Sequence, residues 1–321
     1  MRKPLSKFAF ALLGISIGLI LGWFAVRGAH WSLVRETLSG WSLITITAGI
    51  FLVLASSYLR AIRWSLLWPN RQLSATRLMV VENAALGLNN LSPIRIFDEG
   101  VEVAILSLRD KLPPGQIVAT MMMSRLQDLI FTLTFISISL IFLPPLWEYS
   151  WVIAGGVIFC IVWMTLLLAF EPVVQRFPVF RRIPGVSSFQ LTIKALWGMP
   201  KKLSVTFTLT GAYWLMLVPV GVLFAREAGI TLPFYLIMVT VMGAIFFSTS
   251  VPGLPGAVGT FEFAVVNLLN LWDVPQEASL SFAIALHAVL FLPITAFTFF
   301  VLPREGFLSF RAARELFRNR S

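Results

Sequence analysis

The first candidates for chemistry in this chain are ionisable side chains set in apolar surroundings. Glu82, Asn83, Asn89, Asn90, Arg95, Asp98, Glu99, Glu102, Arg125 and Asp128 interrupt a stretch otherwise dominated by Leu, Val, Ile, Phe and Met. A charge at the centre of a membrane helix costs about 2.5–3.5 kcal/mol on insertion scales, so such groups must pair or line a wet cavity. Helical spacing sets Arg95 beside Asp98 and Glu99, and Arg125 beside Asp128. Five carboxylates (Glu82, Asp98, Glu99, Glu102, Asp128) then face two arginines, and Asp98 and Glu102 share one helix face. Compensation must come from a proton, a metal ion, a headgroup amine, or Arg60 and Arg63 upstream.

A second pattern is backbone chemistry. Residues 252–259 read Pro-Gly-Leu-Pro-Gly-Ala-Val-Gly and cannot form regular helix. No Lys-Ser/Thr follows Gly259, which excludes a Walker loop. With Thr260 as N-cap of a following helix, free N–H groups and a positive dipole end would face an anion, a lipid phosphate above all. Glu262 in the first turn favours the same dipole but repels an anion, which suits a cap or a proton site. His30 reads as an exposed loop residue and His287 as a packed or hydrogen-bonded one. Neither joins a cluster with metal-ligand spacing, and Cys160 is single, so neither a metal, a disulfide nor a nucleophile set is expected.

These groups must be positioned by membrane helices. Of 321 residues, 58% are apolar and 12% charged, about half the charged share of a soluble domain, and mean hydropathy is +0.85. Apolar runs at 8–26, 41–59, 117–143, 151–170, 203–225 and 279–302 are each long enough to cross hydrocarbon. The first is long for a signal-peptide core and no small-x-small site follows it, so it reads as an uncleaved span. Residues 78–109 and 233–272 differ: apolar arms are broken by Leu91-Ser92-Pro93-Ile94-Arg95 and by the 252–259 stretch. The arms of the first are about 13 residues, roughly 20 Å as helix, short for a crossing. Both regions read as re-entrant hairpins whose irregular tips are enclosed by protein or a wet cavity.

Charge sets the orientation. With the N-terminus in the cytoplasm, 20 of the 25 Lys and Arg fall in cytoplasmic segments, among them Arg60, Arg63, Arg77 and the runs 176–202 and 304–320. Only Arg27, Arg35 and Arg226 lie outside, while Arg95 and Arg125 are intramembrane. The net charge of +10 is thus explained by topology, and nucleic acid is excluded as a partner. The expected fold is an all-α polytopic membrane protein with six full transmembrane helices and two re-entrant helical hairpins. It forms one domain over 1–321, with a basic cytoplasmic tail at 303–321. Span, span, hairpin, span occurs twice with opposite sidedness, which predicts an inverted-topology repeat of halves 7–143 and 151–302.

Four stretches carry a family resemblance: Tyr58-Leu59-Arg60-Ala61-Ile62-Arg63-Trp64, Asn89-Asn90-Leu91-Ser92-Pro93-Ile94-Arg95, Ser124-Arg125-Leu126-Gln127-Asp128, and the run from Pro252 through Gly259 to Thr260-Phe261-Glu262. In this order they resemble the flippase-like membrane domain of lysylphosphatidylglycerol synthases and its stand-alone relatives. Two departures stand out: Phe97-Asp98 where the family often has Gly-Glu, and Ser124 where it often has Glu. The resemblance implies lipid translocation between leaflets of the plasma membrane, both termini being cytoplasmic. The chain ends about 20 residues past its last span, so the family's soluble aminoacyl-transfer activity is not expected and the protein is read as a non-enzyme. On this reading Arg95, Arg125, Asn90, Gly253, Gly256, Gly259 and Thr260 bind substrate, in a cavity between the two hairpin tips. Glu82, Asp98, Glu99, Asp128 and Glu262 pair charges or relay protons, and Arg60 and Arg63 receive the arriving headgroup. The implied partners are anionic or phosphate-bearing lipids, and no cofactor is implied. The alternative is a non-transporting accessory subunit for lipid-linked glycan or envelope synthesis.

Overall fold

In a computed structural model, residues 7–69, 73–92, 98–140, 147, 150–177, 179 and 182–305 are described. The tip residue Arg95 and the tail from 306 onward lie outside them. Among the described residues all regular structure is helical: α1 (Lys7–Val26), α2 (Trp31–Ser39), α3 (Leu43–Leu67), α4 (Ala75–Leu91), α5 (Asp98–Leu108), α6 (Pro114–Ser139), α7 (Ser150–Arg176), α8 (Val186–Trp197), α9 (Pro200–Leu215), α10 (Leu217–Glu227), α11 (Phe234–Ser250), α12 (Thr260–Asn270) and α13 (Gln276–Val301). Hydrocarbon offers the backbone no hydrogen-bond partner, so a chain this apolar satisfies its peptide groups within helices.

Among the described residues five stretches are long and apolar enough to cross a membrane: Leu43–Leu67, Pro114–Ser139, Ile153–Arg176, Pro200–Glu227 and Gln276–Val301. A sixth is added if α1 and α2, bent by 87° between them, count as one span. The protein is therefore a multi-helix membrane protein. Several expected bounds change. The run 41–59 extends to Leu67, because Ser42 caps its start through the Ile44 N–H at 3.2 Å and nothing breaks the helix before Trp68. Arg60 and Arg63 thus sit inside α3 rather than in a cytoplasmic loop. The run 203–225 is two helices meeting at Met216, where Pro219 cannot supply the N–H that the Leu215 carbonyl would bond in a continuous helix. The short helices α2 and α8 were not foreseen.

The two broken regions are both antiparallel helix pairs. Arg77 in the first turn of α4 bonds Asp110, two residues past α5, at 2.8 Å, so the arms return to one place. In the second pair Phe247 of α11 faces Phe263 of α12 at 6.1 Å, and Gly243 faces Leu268. The two turning points meet: the α4 end at Asn90 presents its carbonyl 3.6 Å from where a Cβ on Gly256 would stand. Two apolar cores flank this junction. One gathers Phe224, Val241, Phe261, Phe282 and Leu286 from α10–α13, the other Trp64, Leu78, Ile105, Ile117 and Leu196 from α3–α6 and α8. Interhelical polar contacts pin them, including Trp64 Nε1 to Thr120 Oγ1 at 3.1 Å and Thr298 Oγ1 to the Asn83 carbonyl at 3.0 Å.

Ion pairs gather at the two ends of α13, whose 26 residues span about 39 Å. At its start His30 meets Glu277 at 2.9 Å. Past its end Glu305 accepts from Arg77 at 2.7 and 2.9 Å and from Arg109 at 2.8 Å. Burial pushes the Glu305 carboxyl up, but the hydrogen bonds and charge of Arg77, backed by Arg109, outweigh it and hold it below the usual carboxylate range. A carboxyl depressed on folding stabilises above its unfolded value, near 4.3, and that contribution is lost as pH falls through the folded value. Thermal melts from pH 7 to 3 are therefore expected to show E305Q losing less stability on acidification than wild type.

Candidate functional site

The deepest charge among the described residues is Arg63, only 1% exposed in the last two turns of α3. A guanidinium there requires several acceptors. Its Nη1 meets Asp128 Oδ1 at 2.7 Å and Thr210 Oγ1 at 3.2 Å, and its Nη2 donates to Ser124 Oγ at 2.5 Å and Asp128 Oδ2 at 3.3 Å. The Tyr213 hydroxyl donates to the same carboxylate, and its ring lies 5.1 Å from the guanidinium carbon. Three helices, α3, α6 and α9, are thereby tied at one point.

One turn before it, Arg60 faces a narrow chamber among α3, α4, α5 and α6. Its walls are formed by Arg60, Arg63, Glu82, Glu102, Ser124 and Arg125, and its cavity volume is about 20 Å³, room for about one water molecule. That is far below the roughly 300–1,000 Å³ of ligand sites, so a headgroup enters only when the helices around it part. Glu82 Oε2 lies 3.4 Å from Arg60 Nε. This is a Coulombic contact without hydrogen-bond geometry, and the buried Arg60 Nε and Nη2 and Glu82 Oε2 have no hydrogen-bond partner among the described residues. At the mouth Arg125 meets Glu99 at 3.3 Å, both roughly half exposed.

This geometry rearranges the expected pairs. Arg125 does not hold Asp128. It turns to Glu99 of α5, and Asp128 belongs to Arg63, because residues three apart on a helix share a face only broadly and the facing helix decides which partner is nearer. Two of the carboxylates, Glu82 and Asp128, face Arg60 and Arg63, part of the compensation that spacing alone left open. Arg63 is held by protein through Nη1 and Nη2, while its buried Nε has no hydrogen-bond partner among the described residues. The Asp98 side chain, like Arg95, lies outside the described residues.

The substrate-binding set does not converge. Arg125 stands at the chamber mouth, whereas Asn90 donates to Thr295 Oγ1 at 3.1 Å beside the second tip. The chamber lies within the first half of the chain, not between the two tips. The second tip is packed shut. Gly253 stands against Thr260, where a Cβ would come within 2.7 Å of Thr260 Cγ2. The N-cap of α12 is Gly259, φ +83°, and not Thr260, which is fully buried and donates to the Ala257 carbonyl at 2.9 Å. A residue with positive φ ends the irregular backbone there, and glycine adopts it without cost. Glu262 takes the Gly259 N–H at 2.7 Å, so a carboxylate already occupies the donor expected to await an anion. Gly256 and Ala257 both take left-handed backbone, φ +68° and +66°, which costs Ala257 about 1 kcal/mol.

Several participants escaped sequence reasoning. Thr210 and Tyr213 sit in an apolar run with no local signal that an arginine from α3 would reach them. His287, expected to be packed or hydrogen-bonded, is both, and its partners Glu262 and Gly256 had no local sign in the sequence. One signal was legible and unused: Gly14, Gly18 and Gly22 repeat every four residues, the pattern of close helix approach. They pack on Gly253, Leu254 and Gly259 of the second tip.

An all-helical membrane protein with buried charge gathered around a chamber, and with a glycine-rich hairpin tip, defines the class. The family described as "Lysylphosphatidylglycerol synthase TM region" matches residues 11–297. The chain belongs to that family, nearly the whole of it being the transmembrane region, and a membrane-lipid-related role follows from the membership. No curated protein matches the chain.

Proposed function

We propose that the protein is a lipid flippase or flippase-like transporter, passing a phosphate-bearing headgroup between leaflets while the acyl chains stay in the bilayer. The observation that carries this reading is Arg60: two guanidinium nitrogens are buried beside the chamber with only the Coulombic contact to Glu82 and no hydrogen-bond acceptor among the described residues. An unmet buried donor costs about 1–3 kcal/mol, more for a charged one, and a phosphate accepts from a guanidinium through two parallel bonds. Arg125 at the mouth offers a second cation on the approach, and Glu82 and Glu102 offset the positive charge of the chamber wall.

Around this site the reading places six spans, with the α4–α5 and α11–α12 pairs as re-entrant hairpins within an inverted repeat of halves 7–143 and 151–302. Both termini are cytoplasmic, in the plasma membrane. Alternating access comes from one half rocking on the other at the meeting of the two tips. The role is non-enzymatic, and the partners are anionic or phosphate-bearing lipids.

The test reconstitutes the protein in liposomes and follows transfer of labelled phosphatidylglycerol. Loss of charge-assisted bonds worth about 1.5–3 kcal/mol should slow transfer by R60Q about 10- to 100-fold. R60K, retaining charge but not the paired donors, is expected to fall between R60Q and wild type. R60Q at wild-type rate would remove the chamber from the path. Wild type no faster than empty vesicles would point instead to an accessory role in lipid-linked glycan or envelope synthesis.

A further inference from the structure

The second hairpin holds a polar contact that the chamber does not use. Glu262, in the first turn of α12, and His287, midway along α13, meet at 2.5 Å through Oε1 and Nδ1, their side chains 13% and 9% exposed. The other ring nitrogen, Nε2, lies 2.7 Å from the Gly256 carbonyl oxygen. A carbonyl only accepts, so Nε2 carries a hydrogen. The Nδ1–Oε1 contact then needs a hydrogen of its own, since otherwise two lone pairs face each other where little water screens them. The pair therefore shares one proton, written either as imidazolium with carboxylate or as neutral ring with carboxylic acid. Phe261 and Phe291 enclose the ring, at 4.8 and 4.5 Å between centroids.

Other ionisable groups on the elements packed around α13 are engaged or exposed. Arg77 is held by Asp110 and Glu305, Glu82 by Arg60, Arg63 by Asp128, and Glu227 by Thr45. Arg35, Glu36, Tyr58 and Arg226 are exposed, and Glu277 on α13 itself meets His30 at the helix start.

We infer that Glu262 and His287 together form a binding site for one proton, whose occupancy fastens the tip of the second hairpin to α13. When the proton leaves to water, Nδ1 and the carboxylate repel. The ring turns or withdraws, and the Gly256 carbonyl loses its donor. Gly256 is the residue that abuts the end of α4 at Asn90, so the release is felt where the two hairpins meet. The site deepens the transport reading by naming the coupling ion, and rests on that reading only for the coupling.

E262Q is the informative variant. Its amide oxygen can accept the Gly259 N–H and its amide nitrogen can donate to a neutral His287, which reproduces the loaded pair without a titrating carboxyl. Full-length C160A/V258C protein in liposomes, with and without E262Q, is labelled with a maleimide between pH 5 and 9. Val258 lies on the tip and is half exposed. Because both proteins carry the same thiol, its own ionisation cancels in the ratio of their rates. That ratio is expected to rise about tenfold or more in favour of the Glu262 protein between the acid and the alkaline end of the range. A ratio constant across the range would overturn the proton site. Should E262Q not fold, H287Q, which keeps a donor for the Gly256 carbonyl and does not titrate, serves as reference. Lipid transfer with a constant ratio would sink the proton site and leave the transport reading standing. A changing ratio with no lipid transfer would do the reverse.

Discussion

Replacing Arg63 by alanine is expected to cost about 3–5 kcal/mol, the largest loss from any single side chain in the protein. The reason is what remains. Asp128 would keep its charge at the Tyr213 hydroxyl and lose both guanidinium bonds, while Ser124 and Thr210 would each lose a donor. An ionised carboxylate without a cation is costly in a site walled by α3, α6 and α9, and truncating the long side chain also leaves a void. Thermal unfolding in detergent should show R63A melting far below wild type, or failing to accumulate. D128A should resemble it, because it strands the guanidinium instead. The double variant R63M/D128L removes both charges and fills the space, so it should be more stable than either single variant. Equal melting of R63A and wild type would mean that Asp128 is neutral in the folded protein and the pair is not ionic.

The second large effect is expected at Gly18. A Cβ there would stand 2.5 Å from the Leu254 backbone nitrogen and 2.9 Å from Leu254 Cγ. The side chain can shift, but the backbone of the tip cannot without disturbing Gly259, which lies against the Gly18 carbonyl on the other side. Overpacking typically costs about 1–3 kcal/mol, and G18L should exceed that range because the whole α1 seam would have to open. In a bilayer, helices gain little from hiding apolar surface from lipid, so close packing is what holds α1 to the tip. G18L is expected to melt early and to expose the tip amides to faster hydrogen exchange. G100L, at a glycine with open space around its Cβ position, is the control and should be near neutral.

Much of this architecture is legible along the chain. Apolar runs longer than the hydrocarbon is thick announce spans, and Pro-Gly clusters announce breaks, because both are local consequences of backbone hydrogen bonding. Even the glycine spacing of α1 was readable, although not which surface it would meet. The functional groups were less legible. The right residue types were in view at Arg60, Arg63, Glu82, Arg125, Asp128 and Glu262, but most of their partners were not. Spacing along one helix proposed Arg125 with Asp128. The structure instead gives Asp128 to an arginine 65 residues earlier and to a tyrosine 85 residues later. His287 and Glu262, 25 residues apart on different helices, carried no local sign of each other.

The membrane-helical character and the places where helix must fail follow from composition and order alone, since lipid leaves the backbone no choice but to bond within each segment. Which charge neutralises which, and where a chamber remains open, depends on helices far apart in the chain arriving side by side. At about 3 Å an ion pair is decided by the facing helix, and no periodicity within one segment encodes that distance.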